Sequence, residues 1–133
     1  MSRALSYVAS FFLLVHAGLA PQHAVAAEPK DEPIRILVPA YFYPAGEGLA
    51  AWKKMIASAA QTPITAIVNP GSGPGKRIDP AYVEVFRLAK PSKIRLIGYV
   101  TLSYARRPIA AVKADIDSWL QFYPEIAGIF FDE

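Results

Sequence analysis

Short apolar runs begin near residues 34, 64, 94 and 127, and a stretch of helical periodicity fills each gap between them. This recurrence constrains the fold more than any other feature of the chain. The runs Ile34-Arg-Ile-Leu-Val-Pro39, Ile64-Thr-Ala-Ile-Val-Asn69, Ile94-Arg-Leu-Ile-Gly-Tyr99 and Ala127-Gly-Ile-Phe-Phe131 are rich in β-branched and aromatic residues. They read as buried strands, apolar on both faces, as a parallel sheet covered by helices requires. Strands alternating with helical patterns are the mark of βα units. The first helix opens at Gly46-Glu-Gly48 and runs to about Ala60. Leu49, Trp52, Ile56 and Ala59 recur there at helical spacing, so Trp52 reads as core. Asp79-Pro80 starts the second helix with a capping acid and a proline at the first helical position. Its apolar stripe is Tyr82, Val83, Phe86 and Ala89. The third starts at Pro108, with a stripe of Ile109, Val112, Ile116, Trp119, Leu120 and Tyr123.

Two α/β architectures fit this order, a (β/α)8 barrel and an open doubly wound sheet. No dinucleotide fingerprint follows the first strand, where Ala40-Tyr-Phe-Tyr-Pro-Ala-Gly46 stands instead. That favours the barrel. A complete barrel takes about 250 residues. The expected fold is therefore the N-terminal half of a (β/α)8 TIM-type barrel, four parallel strands over residues 34–133, truncated. Phe130-Phe131 then lies on an uncovered edge strand, which invites aggregation. The alternative is a small open sheet complete in itself.

Residues 1–27 are a different material: Arg3 is their only charge, Ala4 to Ala20 is apolar, and Ala24-Val-Ala-Ala27 offers small-residue cleavage sites. They read as a secretory signal peptide, with an uncleaved anchor as the alternative, and residues 28–33 as a charged linker. The expectation is a secreted or periplasmic protein without a stable membrane anchor after cleavage. Both histidines, His16 and His23, fall in that segment, and the chain has no cysteine. Residues 28–133 therefore lack Ser-His-Asp and Cys-His chemistry and His or Cys zinc sites. A net charge of +3 without Lys/Arg runs carries no nucleic-acid footprint. Proton transfer falls to Asp, Glu, Tyr and Lys. For a secreted protein the commonest chemistry of such groups is glycoside hydrolysis by carboxylates. No cofactor or metal is expected.

Asp132-Glu133 ends the fourth strand, and acids at the C-terminal tips of barrel strands stand where such folds place their chemistry. Alternation should turn one carboxylate to the barrel mouth and the other to the adjoining loop, unless a bulge brings both inward. Tyr41, Tyr43, Tyr99 and Tyr104 gather at the exits of the first and third strands. Their flat faces and hydroxyl tips suit sugar rings, although Tyr99, still within its strand, also fits simple packing. Asn69-Pro-Gly-Ser-Gly-Pro-Gly75-Lys76 is one residue short of a phosphate loop, and Arg77 stands where Ser or Thr should bind magnesium. It reads instead as a shaped strand-to-helix loop that aims the Asn69 amide at the cleft. Arg106-Arg107 reads as a solvated loop or a helix start, with an acidic ligand contact as the sharper option.

Four segments carry a family resemblance: Ile36-Leu-Val-Pro-Ala-Tyr-Phe-Tyr-Pro44, Ile67-Val-Asn-Pro-Gly-Ser-Gly-Pro-Gly75, Gly98-Tyr-Val with Tyr104, and Gly128-Ile-Phe-Phe-Asp-Glu133. In this order and spacing the chain resembles the spherulin-4-like family. Thr101-Leu-Ser-Tyr-Ala105 departs from that family's Thr-x-Tyr-Gly style. The resemblance implies a secreted glycoside hydrolase of (β/α)8 fold acting on an amino-sugar polysaccharide of the α-1,4-galactosaminoglycan type. It implies catalytic roles for Asp132 and Glu133, substrate contacts at Tyr41, Tyr43, Asn69, Tyr99 and Tyr104, and a further acid from a later strand. That acid is absent from this sequence, so the chain alone is expected to be inactive. The rivals are a non-catalytic cell-surface carbohydrate-binding protein and a hydrolase holding magnesium or calcium between Asp132 and Glu133.

Overall fold

The computed structural model describes residues 34–133. The signal-peptide reading of residues 1–27 lies outside the described residues, as does the linker at 28–33. The elements run β1 (Ile36–Ala40), α1 (Glu47–Ser58), β2 (Ile64–Val68), α2 (Pro80–Ala89), β3 (Arg95–Thr101), α3 (Ile109–Phe122) and β4 (Ile129–Asp132). All strand pairs are parallel, and the sheet order is β1-β2-β3-β4. A doubly wound sheet reverses direction at a switch point. Here each strand lies beside its predecessor, as barrel staves do.

The register divides the sheet into two faces, because paired residues project to the same side and neighbours alternate. Ala40, Val68, Gly98 and Ile129 form one such row. With Ile64, Ala66, Leu96 and Val100 they face the helices and share one core with Trp52, Ile56, Val85, Phe86, Val112 and Trp119. At Gly98 an added Cβ would lie 2.5 Å from the Trp119 ring, so only glycine lets α3 settle on β3. The other face carries no helix among the described residues. Ile67 and Tyr99 are buried there, apart from the main core, while Leu37 and Tyr41 are half exposed.

Helix starts follow local chemistry. The Asp79 carboxylate accepts from the Ala81 N–H at 2.9 Å, and Pro80 occupies the first turn, as read from the sequence. The stripes are less faithful. Val85 rather than Val83 is buried on α2, and on α3 Ile109 and Leu120 point to solvent while Val112 and Trp119 are buried. β4 is the uncovered edge strand expected of a four-strand half-barrel, less buried than its apolar run alone suggests, and Phe131 is 48% exposed. No helix among the described residues is long and apolar enough to cross a membrane.

Candidate functional site

The C-terminal ends of the strands meet on the helix-free face. Tyr99 pairs with Phe130, and Thr101 with Asp132. Tyr41 and Asn69 directly follow the last paired residues of β1 and β2. Two core tryptophans fix the backbone here. The Trp119 indole N–H donates to the Tyr99 carbonyl at 2.9 Å, and that of Trp52 to the Phe42 carbonyl at 3.2 Å. The side chains then converge. The Tyr41 ring meets Tyr99 edge-on, with centroids 5.8 Å apart, and Phe130 lies 6.3 Å from Tyr99 on the other side. The Tyr99 hydroxyl donates to Asp132 Oδ2 at 3.0 Å. Burial, followed by the bond to Asp132 and the charges of Asp132 and Glu133, pushes the Tyr99 phenol up to about 12. The Tyr41 phenol is also raised, by burial and then by the Asp132 charge.

Both terminal carboxylates stay on this rim. Asp132 Oδ1 accepts from the Glu133 N–H at 3.1 Å. Glu133 has φ of 67°, and its Oε2 accepts from Thr101 Oγ1 at 3.4 Å. Strand alternation alone would send Glu133 to the other side. Asp132 is half-buried and Glu133 exposed.

The other sequence candidates are placed differently. Asn69 Oδ1 accepts from the Gly73 N–H at 3.1 Å, and its carbonyl accepts from the Tyr82 hydroxyl at 3.3 Å. These bonds shape the 70–75 loop, so the amide oxygen faces the loop rather than the cleft. Tyr43 leaves the group: its hydroxyl donates to Asp79 Oδ1 at 3.3 Å and its ring meets Tyr82. There it lines a separate cavity of about 520 Å³ with Gly75, Lys76, Arg77 and Asp79. Tyr104 is 70% exposed on a turn in which Ser103, Tyr104 and Ala105 have φ of 50°, 56° and 61°. Such left-handed residues cost roughly 1–2 kcal/mol each. Of the four tyrosines, Tyr41 and Tyr99 pack on each other beside Asp132, while Tyr43 packs on Tyr82.

Sequence reading did not single out Phe130 as a wall of this rim, Thr101 as the partner of Glu133, or Asp115. Register supplies the first two, and no local pattern carries the third. The solvated reading of the arginine pair holds for Arg106, which is exposed 5.6 Å over the Tyr104 ring. It fails for Arg107, whose Nη1 lies 2.7 Å from Asp115 Oδ2. Among the described residues no group of three or more His, Cys, Asp or Glu could hold a metal ion.

The model of the Spherulation-specific family 4 matches residues 35–133. Spherulin-4 of Physarum polycephalum is 40% identical over 124 residues, which cover 91% of this chain and 35% of that protein. The crystal structure of Aspergillus clavatus Sph3 in complex with GalNAc matches with a TM-score of 0.64 at 36% identity, over 74% of this chain and 43% of that one. The chain thus spans less than half the length of either relative. With the sheet order, the likeness to Sph3 makes this fold a partial (β/α)8 barrel.

Proposed function

We propose, from the premise that this chain belongs to the Spherulation-specific family 4, that its strand-end rim is a carbohydrate site of the glycoside-hydrolase kind. The observation that carries the reading is Asp132, set at the tip of β4 with Oδ2 bonded to Tyr99 and the half-exposed Tyr41 ring alongside. The likeness to a structure solved with GalNAc supports an amino-sugar ligand, and the family resemblance supports an α-1,4-linked galactosaminoglycan.

In this reading the Tyr41 face takes the apolar C–H side of a sugar ring. Asp132 is the acid or base at the glycosidic oxygen, and Glu133 is its neighbour and tuner. Glycosidases need two carboxylates about 5–10 Å apart, flanking the scissile bond. Asp79 and Asp115 are engaged elsewhere, with Tyr43 and Arg107 respectively. The family resemblance implies an opposing acid from a later strand of a longer barrel, and on that reading the 133-residue chain binds sugar without cleaving it. Residues 1–27 direct export, and the processed protein is secreted or periplasmic.

The test uses the chain extended by the later strands of its longer relatives. Extended protein should cleave an α-1,4-linked galactosaminoglycan, and D132N should lose roughly 100-fold or more of that rate while still holding the polymer. Absence of cleavage by the extended protein, with polymer still bound, would refute the enzyme and favour the non-catalytic binding protein.

A further inference from the structure

We infer that Arg107, which touches neither terminal acid, is the positioning residue for both, acting through the loop between β3 and α3. The inference rests on reading Asp132 and Glu133 as the acids of the site. Arg107 Nη1 donates to the Thr101 carbonyl at 2.8 Å and to Asp115 Oδ2 at 2.7 Å, and Nη2 donates to the Ala111 carbonyl at 3.4 Å. The Arg107 and Asp115 side chains are only 22% and 26% exposed. One guanidinium thus ties the end of β3 to the first turns of α3.

The same loop holds the tip of β4. The Arg107 N–H donates to the Leu102 carbonyl at 3.2 Å, and the Leu102 N–H donates to the Asp132 carbonyl at 2.8 Å. Thr101, whose carbonyl Arg107 grips, pairs with Asp132 in the sheet and offers its hydroxyl to Glu133. Between these anchors, residues 103–105 keep left-handed backbone angles without a single glycine. Such a turn persists only when its surroundings over-determine it. Arg107 and Asp115 supply that constraint from outside the rim. Arg106, next in sequence but exposed, donates to the Ser103 carbonyl and stacks on Tyr104, so it serves as an internal control.

The test needs no sugar. In the full 133-residue protein, NMR follows titration of the Tyr99 phenol and hydrogen exchange of the Leu102 amide in wild type, R107M, R107K and R106M. R107M should release Asp132 from Tyr99, lowering the Tyr99 midpoint from about 12 toward the ordinary value near 10. Leu102 exchange should quicken about tenfold or more as that end opens. R107K should restore part of both signals, and R106M should match wild type. If R107M lowers the melting temperature but leaves Tyr99 and Leu102 unchanged, Arg107 is merely structural and the inference is wrong. Should R107M fail to fold, D115N is read the same way: shifted signals support the clamp, and unchanged signals overturn it. Lack of hydrolysis by the extended protein would remove the enzymatic reading without touching this result, and the converse also holds.

Discussion

The ring of Tyr99 is buried between Tyr41 and Phe130, while its hydroxyl reaches Asp132. Its phenol is pushed up to about 12 when folded, against an ordinary value near 10. The folded state thus favours the neutral phenol. The stabilisation is complete below about pH 10 and is lost as pH rises toward about 12. Tyr82, also raised to about 12 chiefly by burial, shares that window. Denaturant unfolding between about pH 9 and pH 12 should show stability falling, and Y99F should flatten part of the slope. An unchanged slope in Y99F would mean that Tyr99 is not held as described. At this scale the sequence was partly legible. Residue type and strand-end position marked Tyr41, Tyr99, Asp132 and Glu133 as rim residues. The partners of Tyr43 and Asn69 were not legible: Asp79 lies 36 residues from Tyr43, and Asn69 turns its side chain onto its own loop.

Strands and helices were legible because their periodicities differ and because prolines and the Asp79 cap mark boundaries. The burial of individual stripes was not. Ile109 and Leu120 fit the helical spacing of α3, yet 70% and 54% of their surfaces are exposed. Val112, Trp119 and the following Tyr123 are what the sheet and α2 cover, with Tyr123 stacked on Phe86 at 5.1 Å. Periodicity identifies a face, and the neighbouring layer decides how wide that face is. The close approach of α3 to β3 has the same origin: Gly98 looks like a weak point in a strand, but it makes room for Trp119. G98A should push that ring away, costing about 1–3 kcal/mol as overpacking does, and loosen the Trp119 bond to the Tyr99 carbonyl. Chemical unfolding measures the first effect, and the Trp119 indole N–H resonance reports the second. A neutral G98A would contradict the packing described.

On the scale of the whole molecule, three strand-to-strand spacings announced the parallel sheet, and consecutive strand order separates the barrel from the doubly wound sheet. The helix-free face is where the sequence was most informative about place and least about contact. Alternation puts Tyr41, Asn69, Tyr99 and Phe130 on one side, but only the register brings Tyr99 to Asp132 and Thr101 to Glu133. On this face the chain, which spans less than half the length of the relatives it matches, gathers Tyr41, Tyr99, Phe130 and Asp132 into one platform. The central claim is that this platform is the sugar site. The most direct measurement is an NMR titration of the 133-residue protein with an α-1,4-linked N-acetylgalactosamine oligosaccharide. The expected result is shifts concentrated at Tyr41, Tyr99, Phe130 and Asp132, with few at the cavity beside Tyr43 and Lys76. Shifts confined to that cavity, or none at the rim at saturating sugar, would contradict it.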